Sequence, residues 1–81
     1  MENKVAVMSI IVEDRDFVDE LNSILHDFGD YIIGRMGLPF REKGINIISI
    51  AINANQDIIS SLAGKVGNIS SVNVKTSLLV K

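Results

Sequence analysis

The stretch DYIIGRMGLPFREKGINIISI, residues 30–50, decides how the rest of the chain is read. It opens with apolar residues, passes through Gly34, Arg35, Met36 and Gly37, turns between Pro39 and Gly44, and ends in a second apolar run. The connection Phe40-Arg41-Glu42-Lys43-Gly44 has hairpin length, and Gly44 can take the positive φ that a tight turn needs. The spacing therefore predicts two antiparallel strands, Tyr31 to Leu38 and Ile45 to Ile52. With Pro39 opposite Ile45, Ile33 and Arg35 would share a side with Ser49 and Ala51.

Working outward, Val5 to Val12 is rich in β-branched residues and bounded by charge, which predicts a first strand. Asp14 or Asp16 can cap the helix that follows. Its apolar residues Phe17, Leu21, Ile24, Leu25 and Phe28 recur at three- and four-residue spacing, one face of a helix. Gly29 is expected to close that helix in a left-handed conformation. Beyond the hairpin, Asn53 or Asn55 can cap a second helix with the stripe Ile58, Ile59, Leu62, Val66 and Ile69. Gly64 within it is expected to pack closely on the sheet, and Gly67 to end it. Val72 to Val80 supplies the last strand. The order β-α-β-β-α-β predicts an α+β ferredoxin-like plait: a four-stranded antiparallel sheet with two helices on one face. Residues 1–81 are expected to form a single domain.

Composition narrows the chemistry. With no cysteine there is no disulfide, and a lone histidine, His26, cannot build a structural zinc site. A chain of 81 residues has little margin from one core, and 47% hydrophobic content points to oligomerisation as the remaining support. The formal charge of −2 is unlike the basic footprint of nucleic-acid binders, so no direct DNA binding by this chain alone is expected. The eight-residue run Val5 to Val12 is too short to span a bilayer and leads into Glu13-Asp14-Arg15-Asp16 rather than a cleavage site, so a cytoplasmic protein with no membrane partner is expected. Asn68-Ile69-Ser70 then reads as a chance sequon.

An antiparallel sheet with one wet face should alternate apolar and polar residues. The expected central strands do not. Val5, Val7 and Ile11 oppose Ala6, Met8, Ile10 and Val12, while Ile45, Ile47, Ser49 and Ala51 oppose Ile48, Ile50 and Ile52. An exposed apolar patch of this kind marks an interaction surface.

Catalytic apparatus is not evident, because no nucleophile or carboxylate pair matches His26, and the chain is read as a non-enzyme. His26 falls on the polar side of the first helix, where it is solvated; a metal ligand completed across an oligomer contact is the alternative, and no metal site is assigned within one chain. Gly64-Lys65 lies at the far end of its helix, where a phosphate loop would precede the helix, and is set aside. The first loop places Asp14 and Arg15 where binding residues commonly sit. Arg35 interrupts a strand pattern, so its guanidinium needs a carboxylate or carbonyl partner. With Met36, Gly37, Leu38 and Arg41 it forms a candidate ligand or interface block.

The blocks IIGRMGLPFREKGINIISI (residues 32–50) and LAGKVGNISSVNVKTSL (residues 62–78) resemble the small family of iron-only hydrogenase system regulators, over essentially the whole chain. Gly-Arg-Met-Gly-Leu-Pro with Arg-Glu-Lys-Gly carries the resemblance most specifically. It implies an ACT-like domain, similar in fold to the C-terminal domain of nickel-responsive repressors. Such modules associate, here as a homo-oligomer (dimer or tetramer), and bind a small-molecule ligand near subunit contacts. The resemblance names no cofactor. Ser70-Ser71 stands where a Pro-Gly turn would be expected. The histidine and cysteine ligands of nickel-responsive repressors and their DNA-binding segment have no counterpart, so nickel is not carried over. The competing reading is a structural protein–protein interaction module without a small ligand.

Overall fold

The computed structural model describes residues 2–79; the expected strand end at Val80 lies outside them. Strands β1 (Lys4–Val12), β2 (Ile32–Phe40), β3 (Ile45–Ala54) and β4 (Val72–Leu78) form one antiparallel sheet in the order β2-β3-β1-β4. Helices α1 (Val18–Asp27) and α2 (Gln56–Gly67) cover one face, as the plait predicts.

The core follows from the two periodicities. Every second residue of the central strands points to the helices: Ala6, Met8, Ile10 and Val12 from β1, and Ile48, Ile50, Ile52 and Ala54 from β3. They meet Leu21 and Leu25 of α1 and Ile59, Leu62 and Val66 of α2. Each fully buried Leu or Ile contributes about 1.5–3 kcal/mol relative to exposure, so this layer holds the fold.

Caps fall where short polar side chains precede the helices. Asn55 Oδ1 accepts from the Ile58 amide at 2.9 Å and starts α2. Asp14 Oδ1 accepts from the Asp16 amide at 3.0 Å, but what it starts is a 3₁₀ turn, Arg15–Phe17, that leads into α1. Gly29 does not close α1 in the left-handed region; it opens a second 3₁₀ turn, Gly29–Tyr31, that hands the chain to β2. Gly64 does not pack on the sheet either, since a Cβ there would meet open space. Gly67 is the helical glycine that faces the sheet, with Val74 Cγ1 3.5 Å from where its Cβ would stand. Lys65, the residue that suggested a phosphate loop, instead sets its Nζ 5.4 Å from the centre of the Phe28 ring and joins the ends of the two helices.

Two turns need a left-handed residue. Gly44, at φ 66, closes the β2–β3 hairpin as expected. Ser71, at φ 64, makes the turn into β4 and is the non-glycine with positive φ among the described residues. Its carbonyl accepts from the Glu13 amide at 2.8 Å, so the turn is tied to the end of β1. An L-residue in this region costs about 1–2 kcal/mol, part of which glycine recovers. Ser71→Gly is therefore expected to stabilise the protein by about 0.5–1 kcal/mol and raise Tm by a few degrees. An unchanged or lowered Tm in thermal denaturation would contradict the strain.

Candidate functional site

The register of β2 corrects the sequence reading. Pro39 pairs with Asn46 and Phe40 with Ile45, one residue away from the expected alignment. A bulge then lies between Ile32 and Gly34: Ile32 pairs with Ile52, Gly34 with Ala51, and Ile33 is the extra residue. Since side chains alternate strictly, the shift exchanges the faces of Gly34 to Phe40, and the bulge returns Ile32 to the expected alignment. Arg35 pairs with the buried Ile50 and so lies on the helix side, not beside Ser49 and Ala51. Met36 and Leu38 take the open face instead, opposite Ser49 and Ile47.

Arg35 has a partner within its own chain. Its Nη2 donates to Asn22 Oδ1 of α1 at 2.9 Å, an exposed contact that ties the edge strand to the helix. The guanidinium that appeared to need a ligand or neighbouring subunit is thus at least partly used at home. Gly37 pairs with Ile48 on the same side, and a Cβ at Gly34 or Gly37 would meet open space within the chain.

The remaining candidates divide by position. Val12, Asn46 and Pro39 share one row of the sheet, so the loop after β1 and the β2–β3 tip emerge at the same end. Asp14, Arg15 and Arg41 are all exposed there. Asp14 is engaged as a cap, and Arg15 and Arg41 each open a 3₁₀ turn. Asn46 was not singled out by sequence reasoning. Its Oδ1 is buried without a hydrogen-bond partner beneath this end of the sheet, at a cost of about 1–3 kcal/mol. The signal available was a polar residue at a helix-facing position of an otherwise apolar strand. Sealed from solvent, that oxygen offers nothing to a ligand arriving from outside. His26 is exposed, and no group of three or more His, Cys, Asp or Glu that could hold a metal occurs among the described residues.

The open face is the larger feature. Val5, Val7 and Ile11 of β1, Ile47 of β3, and Met36 and Leu38 of β2 all project there, with exposures from 39% at Ile11 and Ile47 to 69% at Met36. Ser9 and Ser49 are directly paired in its middle. Two hollows open along this face, the first of them reaching its middle at Ser49. One, of about 290 Å³, is lined by Gly34, Arg35, Met36, Ser49 and Ala51. The other, of about 530 Å³, is lined by Val5, Ala6, Val7, Ser77, Leu78 and Leu79. No helix among the described residues is long and apolar enough to cross a membrane.

Architecture and surface together define a ferredoxin-like plait whose second sheet face is apolar and open. A model of the TM1266-like family, described as "Iron-only hydrogenase system regulator, putative", matches residues 4–76, and the chain belongs to that family. The uncharacterized protein TM1266 from Thermotoga maritima is similar throughout, with 39% identity and a TM-score of 0.94 over 98% of this chain and 100% of that one. A formyltetrahydrofolate deformylase from Pseudomonas putida KT2440 shares 10% identity at a TM-score of 0.65, over 90% of this chain and 28% of that one. An unknown protein from Galdieria sulphuraria shares 15% identity at a TM-score of 0.66, over 99% of this chain and 47% of that one. At these identities the last two show the fold alone. Comparison with curated proteins finds no match.

The Arg35–Asn22 contact has a direct test. Arg35→Ala and Asn22→Ala are each expected to lower stability by less than about 1 kcal/mol, because the bond is exposed. The double variant should lose less than the sum, since both changes remove one interaction. Denaturant unfolding of the four proteins measures this, and strict additivity would contradict the bond.

Proposed function

We propose that residues 1–81 act as a single ACT-like regulatory domain of the iron-only hydrogenase system. In this reading the chain self-associates through its open sheet face and responds to a small ligand bound beside that contact. It is not an enzyme and does not act on DNA directly.

The observation that carries the reading is the open face itself. A soluble monomer gains nothing from Val7, Ile11, Ile47, Met36 and Leu38 exposed together, whereas apolar patches of this extent favour association. Membership of a family described as regulators agrees with a module that works by contact. The hollow at Gly34, Arg35, Met36, Ser49 and Ala51 supports the ligand half, because it opens on the same face. At about 290 Å³ it stands near the lower end of small-molecule sites, which run from about 300 to 1,000 Å³. That modest size also favours the second reading, a docking module with no ligand.

Two measurements test this reading, and the second separates it from the docking module. Ile47→Asp sets a charge among apolar side chains while leaving the helix-facing core untouched. It is expected to weaken association at least roughly 30-fold, about 2 kcal/mol, with unchanged far-UV circular dichroism. Sedimentation that matches wild type would contradict a role for the face. A thermal-shift panel of amino acids and divalent metals should raise Tm for at least one compound, and a flat response from an associating protein would leave the docking module standing.

A further inference from the structure

The open face carries its own information about what covers it. Its paired rows can be read directly from the register: Leu38, Ile47, Ile11 and Asn73; then Met36, Ser49, Ser9 and Lys75; then Gly34, Ala51, Val7 and Ser77. Apolar side chains lie above and below the middle row and extend along β2, while β4 contributes Asn73, Lys75 and Ser77. The centre of the apolar area therefore falls at Ser49, not at the geometric middle of the four strands. Its cross-strand neighbour is Ser9. Neither hydroxyl has a side-chain hydrogen-bond partner among the described residues.

A polar group at the centre of an apolar contact must be satisfied by whatever docks there. Serine is unusual in being its own complement, since one hydroxyl donates while the other accepts. A charged side chain at the same point would repel its copy. The charged residue in these three rows, Lys75, stands on the edge strand away from Ser49. In a two-fold contact the same patch serves both subunits, and residues on the axis meet their own copies. The area agrees with this. Four strands about 4.8 Å apart and nine residues at about 3.4 Å give roughly 600 Å² in projection. Side-chain relief brings this to the order of the 800 Å² per partner found in stable contacts.

We propose that the face is covered by a second copy of this chain, packed sheet to sheet, with the two-fold axis passing over Ser49. The proposal rests on self-association through this face and adds how the two copies pack and where the axis lies. Ser49 of each copy then lies across from Ser49 of the other, with Ser9 beside it, and a water held between the facing hydroxyls satisfies them. Lys75 is carried toward the rim, where it stays hydrated.

The chain contains no cysteine, so single substitutions report position without background. Ser49→Cys is the central probe, and Ser9→Cys repeats it one strand away. Asn73→Cys and Ser77→Cys mark two corners on β4, at most one of which can lie on an axis through Ser49. Each purified protein is treated with a short bis-maleimide and resolved by denaturing electrophoresis. Ser49→Cys should form covalent dimer on the order of 100-fold faster than at least one corner variant. The basis is that a thiol facing its copy sees a millimolar effective concentration in a sample of tens of micromolar. Failure of both Ser49→Cys and Ser9→Cys to cross-link, or cross-linking at both corners as fast as at Ser49→Cys, overturns the axis if sedimentation still finds dimers. Monomeric sedimentation of the wild type at tens of micromolar overturns the association beneath it as well.

Discussion

Two helices can cover only one side of the β1–β3 pair, and both sides of that pair are apolar. This constraint governs the rest of the molecule. The nine-residue register from Lys4–Ala54 to Val12–Asn46 aligns Met8 with Ile50 and Ala6 with Ile52 toward the helices. The same register aligns Ile11 with Ile47 and Val7 with Ala51 away from them. A hydrophobic core is thus built on one side by satisfying α1 and α2, and a second apolar layer is left on the other. Within one chain nothing among the described residues covers it.

The edges of the sheet behave differently because of what flanks this pair. β4 carries Asn73, Lys75 and Ser77 on the open side, so the apolar area stops there. β2 extends it with Met36 and Leu38, and is pinned to α1 by the Arg35–Asn22 hydrogen bond on the opposite side. One strand therefore anchors to the helix layer with one set of alternating side chains and presents apolar area with the other. The pairing of Phe40 with Ile45 at the hairpin sets which residues occupy each face. Gly34 and Gly37 do not admit a neighbour from the same chain, and on the open side Gly34 leaves the hollow beside Met36.

The element order, the helix-facing core and the absence of alternation in β1 and β3 were all legible in the residues, because periods of 2 and 3.6 leave repeated marks along a segment. Gly44 was legible for a similar reason, as a glycine between two strand patterns has few other uses. What escaped depends on single-residue choices that no periodicity records. The hairpin pairs Phe40 rather than Pro39 with Ile45, and that one-residue shift reverses the face of Arg35, turning an apparent ligand contact into a tether to Asn22. Gly29 and Gly64 carried glycine's usual signals, yet one opens a 3₁₀ turn and the other faces solvent. Ser71 adopts a conformation that its side chain does not advertise. Of the candidate block, Met36 and Leu38 lie on the open face, while Asp14, Arg15 and Arg41 gather at one end of the sheet and Arg35 and Gly37 look toward the helices. These residues do not form one site, and the proposed function draws chiefly on the first pair.

The central claim is that the open face is covered when the protein is at work. Solvent paramagnetic relaxation of methyl groups in solution measures this directly. Ile10 and Ile50, which are buried by the helices, calibrate full protection within the same spectrum. If the face is an interface, the methyls of Ile11 and Ile47 will be nearly as protected as these at high protein concentration and will lose protection on dilution. Strong relaxation of Ile11 and Ile47 at every concentration, with Ile10 and Ile50 shielded throughout, would contradict it.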